Sequence, residues 1–219
     1  MEVVIAGGHG QIALRLARLL SARGERVRSV IRNPDHAADV SDAGAEPVVF
    51  DLEEGSADDL AEVVRGADAV VFAAGAGPGS GPERKRTVDL GAAVKLIDAA
   101  RAARVRRYVM VSSIGADNPS AGGEAMRPYL EAKAEADAAL ADSGLDYTIV
   151  RPGILTNDPG TAKVTVGPDV ERAEIPRDDV AAVIVGVLDE PCTIGRTFVV
   201  VEGETPIPDA LRQLCDESA

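Results

Sequence analysis

Two cysteines, Cys192 and Cys215, are all that the 219-residue chain contains. They stand far apart and lack the partner spacing of a metal site, so thiols are expected rather than a disulfide or zinc centre, and metal chemistry is not expected. No apolar run approaches the roughly 18 residues of a membrane span, and the N-terminus has no basic stretch ahead of its short apolar segment. Neither a membrane partner nor a signal peptide is therefore expected, and the expected setting is cytoplasmic. Positive charge is also short, because 23 Lys and Arg against 36 Asp and Glu leave a net charge of −13. That balance repels phosphodiester backbones and argues against nucleic acid as a partner. The runs Arg84-Lys85-Arg86 and Arg104-Val105-Arg106-Arg107 are accordingly read as solvated helix ends. No Pro- or Ser-rich linker, internal repeat or low-complexity tract interrupts the chain, so one domain over residues 1–219 is expected.

What is present is alternation. Short runs rich in Val and Ile lie at residues 2–6, 27–31, 47–50, 69–73, 108–112 and 147–150. Between them, apolar residues at three- and four-residue spacing predict helices over 11–23, 35–43, 57–65, 84–104 and 127–143. Strands alternating with helices predict right-handed crossovers and a parallel sheet, and continuously apolar strands predict helices on both faces. The fold class expected is α/β, a Rossmann-type doubly wound sheet. Residues from about 152 onward form a small substrate-side extension: a short strand pair over 163–175 around Gly167-Pro168, a helix over 177–188, an isolated strand over 197–201 and a closing helix from Ile207.

The first strand runs straight into glycines and then into an amphipathic helix, the construction of a dinucleotide pyrophosphate site. Gly7 permits the sharp turn off the strand, Gly10 lets backbone approach phosphate, and Ala13 is small enough for close helix-on-strand packing. The helix aims free N–H groups at the anion, with His9, Gln11 and Ile12 as flanking cofactor contacts. His9 is read as a loop residue rather than a catalytic base, and His36 as a surface residue.

The second strand ends Val30-Ile31-Arg32-Asn33. NAD sites usually carry Asp or Glu here for the ribose 2′-OH, whereas an Arg suits the 2′-phosphate of NADP. Arg32, with no carboxylate at its position to repel the phosphate, therefore predicts NADP(H) over NAD(H). Asp51, followed by Leu52, either accepts from the adenine amino group or N-caps the next helix. Ala73, Ala74 and Gly75 after the fourth strand are small enough for the cofactor to lie against the sheet edge. Asp178 and Asp179 are read as acids at a helix start.

The pattern Gly7-x-x-Gly10-x-x-Ala13, with Asp51-Leu52, Ala73-Ala74-Gly75, Val111-Ser112-Ser113, Tyr129-x-x-x-Lys133 and Arg151-Pro152-Gly153, resembles the short-chain dehydrogenases/reductases. More narrowly it is similar to their compact atypical NAD(P)H-binding group, which includes NmrA-like and biliverdin-reductase-B-like flavin reductase members. The resemblance covers nearly the whole chain, through Ile175-Pro176-Arg177-Asp178-Asp179-Val180-Ala181. It implies that Ser113, Tyr129 and Lys133 are catalytic, that Ser112 faces cofactor or backbone, and that Pro152, Gly153 and Ile154 close over the nicotinamide. Physically, Tyr129 and Lys133 stand one above the other on a helix face. An ammonium beside a phenol stabilises the phenolate and makes the Tyr a usable proton donor or acceptor. Lysine 133 would also hold the nicotinamide ribose.

Two departures stand out. No Asn corresponding to the family's catalytic set is evident, with Asp89 or Lys85 in that region instead, and residues 116–125 are rich enough in Gly, Pro and Ser to read as a mobile lid. Three functions remain open. The first is an NADPH-dependent reductase of a small carbonyl, quinone or flavin, working as monomer or homodimer. The second is an NADP-binding redox-sensing regulatory protein without turnover. The third is a nucleotide-sugar epimerase or dehydratase, which the small C-terminal part disfavours.

Overall fold

The computed structural model of the protein describes residues 1–77 and 79–216. Its strands are β1 (Glu2–Ala6), β2 (Arg26–Ile31), β3 (Glu46–Val49), β4 (Ala69–Phe72), β5 (Arg107–Val111), β6 (Asp146–Pro152), β7 (Ile154–Thr156), β8 (Lys163–Gly167), β9 (Glu174–Pro176), β10 (Arg196–Glu202) and β11 (Thr205–Pro206). Helices α1 (Gln11–Ala22), α2 (Ala37–Asp42), α3 (Ala57–Val64), α4 (Pro82–Arg84), α5 (Ala93–Ala102), α6 (Gly123–Ala141), α7 (Arg177–Asp189) and α8 (Ile207–Asp216) connect them. A π-helical stretch, Lys85–Ala92, joins α4 to α5.

The main sheet runs β11-β8-β10-β6-β5-β4-β1-β2-β3 and is parallel from β10 to β3. Its chain order reverses between β1 and β4, which opens a crevice at the carboxyl ends of these strands. Alternation of side chains along β1 explains why its residues are apolar without a break. Val3 and Ile5 enter a core with Leu16 of α1, Ile184 of α7 and Leu211 of α8. Val4 and Ala6 enter the opposite core with Leu60 of α3, Leu96 of α5 and Leu140 of α6. Both faces are thus covered, as the continuous apolar strands predict.

The extension differs from expectation in three ways. Residues 163–175 are not a strand pair: β8 runs antiparallel to β10 and β11, whereas β9 pairs in parallel with β7. The strand expected alone at 197–201 is β10, which lies in the main sheet between β6 and β8. Local sequence carries the tendency to extend but not the identity of a distant partner, so these pairings were invisible in it. The third difference is a disulfide. Cys192, in the turn Pro191–Thr193, is bonded to Cys215 of α8, with Cα atoms 5.7 Å apart, where two thiols were expected. Packing of Ile207, Ala210, Leu211 and Leu214 into the core swings α8 back over that turn, bringing together cysteines that their spacing does not relate.

Closing a loop of this separation, 23 residues, is worth about 3 kcal/mol by loop-entropy reasoning. Cys215→Ser is expected to lower the unfolding free energy by about that amount in denaturant titration without reductant. Unchanged stability would mean that side-chain packing alone fixes α8.

The expected lid is partly structured. Pro119–Gly122 is a turn of 3-10 helix, and α6 begins at Gly123 rather than at 127, placing Tyr129 within its second turn. No helix among the described residues is long and apolar enough to cross a membrane.

Candidate cofactor and active site

The crevice begins where β1 gives way to glycine. Gly7 has φ +83°, and a Cβ there would stand 2.6 Å from the Ala74 Cα, so turn geometry and close approach both demand glycine. Gly8, which sequence reasoning passed over, is equally constrained: its Cβ would lie 2.5 Å from that of Ser29. Gly10 is different. Its φ is an ordinary −63°, and the nearest atom to an added Cβ is the Gly7 carbonyl oxygen at 3.1 Å. What glycine provides at this position is a start of α1 without a side chain, since a Cβ would press on that carbonyl and stand before the helix N-terminus. No side chain caps that helix and no carboxylate lies in its first turn, which leaves the N–H groups for an anion. A dinucleotide pyrophosphate fits this cradle.

Beside it lies a cleft of about 290 Å³. Gly7, His9, Gly10, Arg32, Asp51, Leu52, Ala73, Ala74 and Gly75 all line it. The surroundings of Arg32 differ from expectation, because Glu53 supplies the carboxylate thought to be missing. Its Oε2 is 3.0 Å from Arg32 Nη1 and 3.3 Å from Arg84 Nη2, while Thr87 donates to its Oε1 at 2.7 Å. Two guanidinium groups thus share the Glu53 carboxylate, and Asp51 adds a second acid to the same lining. Asp51 does not N-cap α3, whose cap is Ser56; its Oδ1 instead accepts from the Glu53 N–H at 2.8 Å and folds the turn that presents Glu53. His36 is not an isolated surface residue. It stacks on His9 with ring centroids 3.6 Å apart, and His9 Nε2 meets Asp39 at 2.8 Å. Phe50, Asn33 and Arg84 also line the cleft and were not anticipated there.

Ala73, Ala74 and Gly75 also line a second cleft, of about 400 Å³, with Ile12, Lys85, Asp89, Ser112, Met126, Tyr129, Lys133 and Leu155. Here the four-residue spacing on α6 has its effect: the Lys133 Nζ lies 5.9 Å from the Tyr129 ring centroid. Lys133 is buried, donates to the Val111 carbonyl at 3.1 Å and stands 3.4 Å from Asp89 Oδ1. The π-helical turn delivers Asp89 to this point, in the region where the family's Asn is missing. Asp89 Oδ2 accepts from the Ala76 N–H, while Oδ1 faces the lysine charge without a hydrogen-bond donor.

Behind the cleft, the Ser112 hydroxyl donates to Asp137 Oδ2 at 2.9 Å, and Arg151 donates to the same oxygen at 3.0 Å. Burial pushes the Asp137 carboxyl above its ordinary value, opposed by the Ser112 hydrogen bond and the charge of Arg151. Ser113 is half-buried, donates to the Ile114 carbonyl and lies outside the cleft lining. Gln11, Pro152, Gly153 and Ile154 also lie outside both linings; Leu155, one residue further on, faces the second cleft. Asp178 pairs with Arg15, whereas Asp179 accepts the N–H groups of Thr161 and Ala162 and shapes the preceding loop. No cluster of acid, His and Cys side chains suited to a metal occurs among the described residues.

A glycine cradle at the switch point of a doubly wound sheet, with a Tyr and Lys in the adjoining cleft, defines a Rossmann-type protein of the dinucleotide-binding kind. The chain belongs to the NAD(P)H-binding family, whose profile matches residues 7–191. It is 43% identical over 215 residues to the uncharacterised sugar epimerase YhfK of Bacillus subtilis (strain 168), covering 98% of this chain and 100% of that one. Among solved structures, a proposed NAD-dependent epimerase/dehydratase of Bacillus halodurans superposes with TM-score 0.92 at 41% identity, covering 98% of this chain and all of that one. The oxidoreductase ylbE of Lactococcus lactis gives TM-score 0.88 at 30% identity, with 99% and 97% covered.

Proposed function

We propose that the protein is an NADPH-dependent oxidoreductase that reduces a small carbonyl, quinone or flavin, acting in the cytoplasm as a monomer or homodimer. The observation that carries this reading is the wall of Ala73, Ala74 and Gly75 common to the glycine-lined cleft and the cleft of Tyr129 and Lys133. It lets one extended dinucleotide reach from cradle to phenol. Gly7, Gly10 and the first turn of α1 hold the pyrophosphate, and Arg32 faces the 2′-phosphate. The cofactor supplies the hydride. Tyr129 gives the proton to the substrate oxygen, and Lys133, kept in place by Val111 and Asp89, holds a cation beside the phenol and bonds the nicotinamide ribose. Ser113 is assigned the orientation of the carbonyl, which requires its hydroxyl to leave Ile114 and enter a cleft that it does not line; Ser112 lines that cleft but is committed to Asp137. In a reducing cytoplasm the Cys192–Cys215 pair would be open to reduction. Screening NADPH oxidation against quinones, flavins and aldehydes tests the reading, and no turnover with any of them would favour the sensing role.

Cofactor preference has its own test. Arg32→Ala is expected to weaken NADPH binding about tenfold or more, since a charge-assisted contact is worth roughly 1.5 to 3 kcal/mol, while NADH changes little. Glu53→Gln, which releases both guanidinium groups, should shift preference further toward NADPH. Equal affinities of the wild type for NADPH and NADH in titration calorimetry would refute the assignment.

A second reading is supported by the two same-length relatives whose names mention epimerase. In that case hydride leaves and returns to one substrate, so a sugar substrate would change configuration without net NADPH consumption.

A further inference from the structure

We propose that the substrate half of the cleft selects an anionic ligand, a small carboxylate-bearing carbonyl compound, through Lys85. The inference rests on the reading of the Tyr129 cleft as the nicotinamide and substrate site. Of the chain's four lysines, three have partners. Lys95 donates to the Leu52 and Glu53 carbonyls at 2.8 and 2.9 Å, Lys133 donates to Val111 and faces Asp89, and Lys163 pairs with Glu204 at 3.5 Å. The Lys85 side chain has no ion pair or hydrogen bond among the described residues; its Nζ sits 5.2 Å from the Tyr129 ring centroid, and the residue is half-buried in the cleft wall.

Arg18, Arg101, Arg104, Arg127 and Arg172 also show no ion pair among the described residues, but each is exposed, whereas Lys85 is half-buried in the cleft wall. Its desolvation is only partly offset by the ring, since a cation–π contact contributes about 0.5 to 2 kcal/mol. The adjacent Arg86 has taken Glu135, and Lys133 has Asp89, so the half-cleft keeps one positive charge. The cofactor phosphates do not account for it, because the cradle and Arg32 belong to the other half of the cleft, to which Lys85 does not contribute. The Tyr129 ring stands beside Lys85, and Met126 and Leu155 add apolar surface to the same lining. An apolar body with one negative end suits that wall, its carboxylate at Lys85 and its carbonyl at the Tyr129 hydroxyl.

The test uses the NADP⁺-saturated protein and needs no turnover. Titration calorimetry first measures NADP⁺ binding; its absence would defeat the underlying cofactor reading and this proposal with it. The binary complex is then titrated with 4-carboxybenzaldehyde and with its methyl ester. The acid is expected to bind about tenfold or more tightly, the equivalent of one charge-assisted contact. Lys85→Gln should abolish that preference and Lys85→Arg should retain it, with NADP⁺ affinity unchanged in both. The proposal is overturned, with the cofactor reading intact, if acid and ester do not differ, if neither binds, or if the preference survives Lys85→Gln. Loss of NADP⁺ affinity in Lys85→Gln also overturns it, by making Lys85 a cofactor contact.

Discussion

Tyr129→Phe is expected to keep NADPH affinity and to lower turnover by roughly 10²- to 10⁴-fold, the usual worth of a general acid. The substitution removes only the hydroxyl, which makes no hydrogen bond among the described residues, and leaves the ring against Lys85 and Lys133. Packing and cofactor contacts should therefore survive, and a change confined to kcat would assign the proton transfer to this phenol. Normal turnover in Tyr129→Phe would remove it from the mechanism. Lys133→Met is a poorer probe than the motif suggests. It strands Asp89, which is 1% exposed, and breaking a buried pair on one side costs about 3 to 5 kcal/mol. Lost activity in that variant would mix chemistry with stability, so Tyr129 is the position at which enzyme and sensor separate.

Gly10→Val is expected to abolish dinucleotide binding while leaving a folded protein. Gly10 has an ordinary φ of −63°, so no left-handed backbone demands glycine there, and an added Cβ meets only the Gly7 carbonyl oxygen closely, at 3.1 Å, which a shift of a few tenths of an ångström would relieve. The added methyl groups would fill the space in front of α1 that an anion needs. Gly7→Ala is the contrasting control. There a positive φ and a 2.6 Å collision with Ala74 should destabilise the protein whether or not a ligand binds. Calorimetry with NADPH, alongside thermal unfolding of each variant, distinguishes the two effects. A folded Gly10→Val protein with wild-type affinity would move the cofactor elsewhere.

The sequence by itself determined the parallel core from β1 to β6, the cradle at Gly7 to Gly10, and the pairing of Tyr129 with Lys133 on one helix. Each of these is local: apolar runs, a glycine spacing, a four-residue interval. Tertiary structure decided what depends on distant segments meeting. It brought Glu53 to Arg32 through the turn that Asp51 folds, stacked His36 on His9, and set Asp89 against Lys133 through a π-helical turn that no simple periodicity announces. It also paired β8 with β10 and joined Cys192 to Cys215. These contacts were unreadable for one physical reason: a residue's type limits which partners it will accept, but only the packed chain determines which partner comes within reach.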